Sequence, residues 1–163
     1  MKKHFLFAIG LILAFSVNAQ FLTTVGTSIV DENGDPVILR GIGLGGWMLQ
    51  EGYMLQTAEF ADAQYEIRET IQELIGSTAT DEFYEAWLQN HVTKSDIDSM
   101  AKWGFNHVRL PMHYNLYTLP IEDEPIRGEN TWLTKGFELT DSLISWCAAN
   151  NMWVVLDLSL IHI

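Results

Sequence analysis

The most informative scarcities are cysteine and positive charge. A single cysteine, Cys147, occurs among 163 residues. No intramolecular disulfide can form, so the fold must rest on its apolar core. Cys147 sits within a helical pattern and reads as a small buried apolar residue. Lysine and arginine together number 9 against 21 acidic residues, a net charge of −12. Nucleic acids and anionic membrane surfaces are gripped by clustered cations, so both are excluded as expected partners. Proline is sparse, with 4 in the chain, and no repeat or low-complexity linker is present. One domain is expected. No His and Cys set has zinc spacing. Glu122, Asp123, Glu124 and Glu129 match no calcium-loop spacing and read as a solvated acidic loop. No metal and no cofactor is expected.

Long hydrophobic runs are also missing, apart from Phe5 to Val17. That run follows Lys2, Lys3 and His4 and precedes the small-residue site Val17-Asn18-Ala19. It falls short of the roughly 20 residues that a membrane span needs. Its layout is that of a secretory signal over residues 1–20. The remainder, residues 21–163, carries 7 basic and 21 acidic side chains, net −14. It is expected to be a soluble monomer outside the cytoplasm, extracellular or periplasmic, acting on a neutral substrate. The 6 tryptophans and 5 tyrosines suit core packing first and stacking on sugar faces second.

The segments that are present alternate. Thr27–Val30 and Pro36–Leu39 flank Asp31-Glu32-Asn33-Gly34-Asp35 and read as a β-hairpin. Residues 41–44 read as a strand running into the glycine corner Gly45-Gly46-Trp47. Phe60, Ile67, Ile71, Leu74 and Ile75 predict one apolar helical face, ended by Gly76. A second helix is predicted over about Asp81–Gln89, with Thr78 and Asp81 at capping-box spacing. A third starts at Thr93, where Thr93 and Asp96 form a clearer capping box, and Gly104 closes it. Phe105 to Leu110 reads as a buried strand stopped by Pro111, with Phe105, His107 and Arg109 on one face. An irregular loop, Met112–Thr131, leads to a fourth helix over about Thr134–Asn150, burying Phe137, Leu143, Ile144 and Cys147. Trp153 to Leu158 reads as a strand buried on both faces. Strand–helix alternation predicts an α/β fold with parallel βα units.

Arg109 is the chemically pointed residue. An arginine at the last position of a buried strand is costly unless an anion faces it. In a parallel barrel that end of the strand is where active sites are built. The competing reading is a structural arginine paired to a neighbouring helix.

Two motifs, Arg40-Gly41-Ile42-Gly43-Leu44-Gly45-Gly46-Trp47 and Phe105-Asn106-His107-Val108-Arg109-Leu110-Pro111, together resemble glycoside hydrolase family 5, the family of cellulases and exo-β-1,3-glucanases. The resemblance runs from about Phe21 to Leu158. It implies the amino-terminal portion of a (β/α)8 TIM barrel, about three βα units plus a hairpin at the bottom. It also implies hydrolysis of β-linked glucans by a retaining mechanism with two glutamates. Those two glutamates, acid/base and nucleophile, lie on later strands and are expected beyond Ile163, so no catalytic residue is assigned and the chain alone is expected to be inactive. In the family, the arginine matched by Arg109 hydrogen-bonds the nucleophile. A nearby cation keeps a carboxylate ionised. Gln50-Glu51-Gly52-Tyr53 resembles a Glu-Pro-Tyr motif, which makes Glu51 a sugar ligand and Tyr53 a wall. Tyr114, beside His113, matches the tyrosine that follows the arginine. Trp47 is expected at the cleft or its rim. Gly52 departs from the family's proline, and Ser159 stands where a histidine is usual. Residues Ser159–Ile163 read as foreign to the family pattern.

Two other readings stay open on the residues. Gly41, Gly43 and Gly46 satisfy G-x-G-x-x-G, which requires a helix immediately afterwards to hold a dinucleotide. A non-catalytic secreted sugar-binding protein would use the same Glu51, Arg109, Trp47 and Tyr114.

Overall fold

A computed structural model describes residues 21–158. The expected secretory signal, residues 1–20, and Ser159 to Ile163 lie outside those residues. The described residues divide after Ile38 into two units.

The first unit holds an antiparallel pair, β1 (Thr23–Val25) and β2 (Ser28–Val30), with Thr23 opposite Val30. This pair precedes the predicted turn. Its reversal lies at Gly26-Thr27, where Gly26 has φ +60°. The expected second arm, Pro36–Leu39, is no strand. It makes a bridge from Pro36 to Val30 and a bond from Val37 N–H to the Ile29 carbonyl at 2.8 Å. The Asp31 carboxylate turns the chain between them, accepting from the N–H groups of Asn33 and Asp35 at 2.9 and 3.0 Å. Asp31 thus caps an Asx-type turn across which Val30 and Pro36 pair antiparallel.

The second unit is built on a parallel sheet ordered β3 (Gly41–Gly43), β4 (His107–Met112) and β5 (Trp153–Leu158). Its register pairs Gly43 with Arg109 and Arg109 with Val155. Asn106 clamps the start: its side-chain oxygen accepts the Arg40 N–H at 2.7 Å, and its own N–H donates to the Arg40 carbonyl at 2.8 Å. Gly41 is required by its neighbour, because a Cβ there would lie 2.2 Å from two atoms of the His107 ring. The buried Nδ1 of the His107 ring has no partner among the described residues.

Pro111 does not stop β4, which continues to Met112. The Arg109 carbonyl accepts from Leu44 N–H at 2.9 Å, so alternate residues 109 and 111 direct their main-chain groups toward β3. That strand ends at Gly43. The nitrogen of Pro111 therefore faces a stretch with no ladder bond to lose.

Between β3 and β4 run α1 (Gly52–Leu55), α2 (Gln64–Ile75), α3 (Ser77–Asn90) and α4 (Lys94–Lys102). The predicted apolar face of α2 is largely open: Ile67 is buried, while Leu74 and Ile75 are exposed and Phe60 lies before the helix. Gly76 ends α2 at φ +80° and α3 begins at once, so Thr78 and Asp81 fall inside the helix and form no capping box. Asp81 instead pairs with Arg68 of α2. The α4 box is as read, with the Asp96 carboxylate accepting Thr93 N–H at 2.8 Å.

Helix α5 (Thr134–Ala149) connects β4 to β5. Val108 and Leu110 from one face of β4, Ile97 from α4, and Leu143 and Cys147 from α5 are fully buried together. Burying each such Val, Leu or Ile side chain stabilises the fold by roughly 1.5–3 kcal/mol. Phe137 and Ile144 are not core: both are more than 40 % exposed. Likewise β5 is not buried on both faces, with Val155, Leu156 and Leu158 all exposed. It is an edge of the sheet, covered on one side by α5. The acidic loop is solvated as read, with Glu122, Asp123 and Glu129 exposed, while the half-buried Glu124 carboxylate accepts Thr131 N–H at 2.8 Å and closes it.

Candidate functional site at the carboxyl edge of the sheet

Strand pairing collects the chemistry-bearing residues at one edge. Past Gly43 the chain turns through Gly46 (φ +79°) and returns so that Met48 bridges Met112 in parallel. The segments leaving β3 and β4 therefore run side by side from Met48 and Met112. Glu51 lies three residues past the first and Tyr114 two past the second. Gln64 ties these segments together: its Oε1 accepts Gln50 N–H at 2.9 Å, and its Nε2 donates to Asn115 Oδ1 at 3.5 Å. Gln50 is itself buried, its side-chain oxygen taking the Tyr84 hydroxyl at 2.8 Å. Neither glutamine stood out in the sequence. Their only signal was position, one beside Glu51 and one opening α2.

Glu51 precedes α1 and is half-buried. Gly52, the departure from the Glu-Pro-Tyr pattern, has a local cause. Its N–H donates to the Asp62 carbonyl at 2.8 Å, which proline could not do. A Cβ there would meet the Ala61 carbonyl oxygen at 2.7 Å. Tyr53 follows and is 65 % exposed. Tyr114 opens a 3-10 turn (Tyr114–Leu116) and packs on His113, ring centroids 4.7 Å apart. The His113 Nδ1 accepts Asn115 N–H at 3.4 Å, which fixes that ring against the turn.

Arg109 shares the sheet face of His107 and, by register, of Val155 and Asp157. Its guanidinium forms an ion pair with Asp157 of β5, not with a helix. Both side chains remain partly open, at 48 % and 33 % exposure. The sequence signalled the need for an anion but not its identity. Asp157 was readable only as a strand residue until the register placed it two positions beyond Val155.

Trp47 corrects the expectation of a rim residue. It is 1 % exposed, and its Nε1 donates to the Leu88 carbonyl at 2.8 Å. Trp87 reciprocates from α3, its Nε1 donating to the Gly46 carbonyl at 2.9 Å. The pair of tryptophans fastens α3 to the glycine corner, so Trp47 shapes the edge from inside the core. Trp132 is 63 % exposed and meets Phe137 edge-on at 5.9 Å, at the entry to α5.

The dinucleotide reading fails on geometry. After Gly46 comes an irregular, buried segment to Gln50 and then a single helical turn, with no helix N-terminus aimed where a pyrophosphate would sit. Among the described residues no cluster of three or more His, Cys, Asp or Glu could hold a metal ion, and no helix is long and apolar enough to cross a membrane. Burial pushes the Cys147 thiol up to about 11, which keeps it protonated and unreactive.

The family model described as cellulase (glycosyl hydrolase family 5) matches residues 30–160. A beta-xylosidase of Phanerodontia chrysosporium is 31% identical over 138 residues, covering 85% of this chain and 27% of that protein. A probable glucan 1,3-beta-glucosidase A of Aspergillus niger is 29% identical over 123 residues, 74% of this chain and 28% of that protein. The chain thus spans a little over a quarter of these relatives. Among solved structures, rutinosidase from Aspergillus niger superposes with a TM-score of 0.53 at 21% identity, over 72% of this chain and 32% of the other.

Proposed function

With membership of glycosyl hydrolase family 5 as the premise, we propose that this chain is the opening part of a retaining β-glycosidase that cleaves β-linked glucans. The whole catalytic domain is then a (β/α)8 barrel, of which β3, β4 and β5 are the first three strands. The observation that carries the reading is Arg109, three residues before the end of β4 at Met112, on a strand at whose carboxyl edge the segments bearing Glu51 and Tyr114 run side by side. That edge is where a barrel builds its active site.

In this reading Glu51 accepts hydrogen bonds from sugar hydroxyls. Tyr53 and Tyr114 supply apolar walls, with His113 behind Tyr114. Arg109 holds a nucleophilic glutamate in its ionised form. Retaining hydrolysis uses two carboxyl groups about 5 Å apart, one attacking the anomeric carbon and one shuttling the proton. Both glutamates would come from later strands, so residues 21–163 alone should bind weakly and cleave nothing. The relatives named as glucan 1,3-beta-glucosidases favour a β-glucan as substrate. The signal-like layout of residues 1–20 favours export, and the acidity of the chain disfavours anionic partners. We read the enzyme as a monomer without a cofactor.

The test is a panel of β-1,3-, β-1,4- and β-1,6-linked glucans incubated with the full-length protein. Release of reducing ends from at least one of them supports the reading. Tight binding to a glucan with no cleavage would favour the alternative of a non-catalytic carbohydrate-binding protein.

A further inference from the structure

We propose that Asp157 is a positioning residue for the sugar site: it holds the Arg109 guanidinium in one orientation and tempers its charge. This deepens the functional reading above and rests on it.

The geometry carries the inference. Arg109 and Asp157 sit on adjacent parallel strands, with side chains on the same face of the sheet. Asp157 pairs with Pro111 in register, so it lies one pleat nearer the carboxyl edge than Arg109. The guanidinium must therefore lean toward that edge to meet it, through Nη2. A guanidinium carries five N–H donors in a fixed plane. Asp157 takes Nη2 and leaves the other donors for a second carboxylate. The pair is partly open to solvent, so its contribution to stability should be small, within about 1 kcal/mol. A pair that adds little stability, yet fixes a long side chain that would otherwise sample many rotamers, is suited to orientation.

Charge gives the second half. An unopposed arginine would favour the ionised form of a neighbouring glutamate, and so lower its pKa, more than one already paired, because the Asp157 carboxylate offsets part of the cation's field. Asp157 thus sets both the direction and the strength with which Arg109 acts on the nucleophile.

The experiment uses Asp157→Asn in the full-length enzyme. The amide keeps an acceptor of the same shape and removes the charge. Misorientation of a group at the reacting centre costs on the order of 10–100-fold in rate. The expected result is a kcat lower by that factor, with KM within about 3-fold and Tm nearly unchanged. The acidic limb of the kcat/KM profile should move to lower pH, because the nucleophile now faces an unscreened cation. In an Arg109→Ala background, Asp157→Asn should cost nothing further. If Asp157→Asn fails to fold, Asp157→Glu serves instead, restoring charge at a different reach: kcat should fall while the acidic limb stays in place. Wild-type kcat with an unmoved acidic limb would overturn the proposal, as would a loss of kcat that merely tracks a loss of Tm. An inactive wild-type enzyme would instead remove the functional reading, and this inference with it.

Discussion

The imidazole of His107 occupies the space where a side chain at Gly41 would begin. A Cβ built on Gly41 would lie 2.2 Å from both Cε1 and Nδ1 of that ring and 2.4 Å from the His107 carbonyl oxygen. Gly43, two residues on, has nothing within 4 Å of its ideal Cβ. Gly41→Ala must push ring or backbone aside, an overpacking cost of about 1–3 kcal/mol. In the full-length protein its Tm should fall by on the order of 5 °C, while Gly43→Ala should leave Tm close to wild type. Equal melting temperatures for the two variants would contradict the packing described between β3 and β4.

Trp47 is expected to matter for stability and not for sugar binding. Trp47→Phe keeps most of the ring volume but leaves the Leu88 carbonyl without the indole donor that now lies 2.8 Å away. An unsatisfied buried polar group costs about 1–3 kcal/mol. Denaturant unfolding should show a loss of that size. KM for the preferred glucan should stay within 2-fold or so; a large rise in KM would return Trp47 to the cleft.

Arg109→Ala should behave in the opposite way. Its ion pair with Asp157 is partly exposed, so stability should fall by no more than about 1 kcal/mol. Losing a preorganised electrostatic contact to the nucleophile should lower kcat by roughly 100–1,000-fold. Steady-state kinetics alongside a thermal melt separates the two effects, and unchanged turnover would remove Arg109 from the site.

Cys147 offers a pH test. Burial raises its folded-state value to about 11, above the roughly 8.5 of a free thiol. The folded state therefore favours the protonated form. The stabilisation is fully present below about pH 8.5 and is lost as pH climbs through about 11. Native protein at pH 8 should leave a thiol-reactive chromogenic disulfide unreacted, and the thiol should titrate fully once urea is added. Rapid labelling of native protein would contradict its placement among Leu143 and Ile97.

Much of the sheet was legible because parallel buried strands announce themselves as short apolar runs between helices, as at Val108 and Leu110. Thr93 and Asp96 were legible because a capping box is a local contract between residues three apart. Misreadings arose where a distant partner decided the outcome. Pro111 continues β4 because β3 happens to end before it. Thr78 and Asp81 look like a cap, but Gly76 already reverses the chain and α3 starts one residue later. The reversal at Asp31 to Asp35 was legible, since Pro36 bridges Val30 across it, whereas the pairing of Thr23–Val25 with Ser28–Val30 was missed. Of the candidate site, Arg109 was marked by its place in a buried strand, and Glu51 and Tyr114 came from the family resemblance. Asp157, Gln50 and Gln64 required the register between strands, which no single segment encodes. Trp47 was misplaced because a tryptophan after a glycine corner reads alike whether its indole finds a carbonyl inside, here Leu88, or a sugar outside.

The most direct test of the central claim is the stereochemistry of the first product. Full-length protein acting on a β-glucan oligosaccharide should release the β-anomer at early times, followed by slow mutarotation, as proton NMR of the anomeric signals would record. Initial release of the α-anomer, or intact oligosaccharide after prolonged incubation with folded enzyme, would contradict a retaining β-glycosidase.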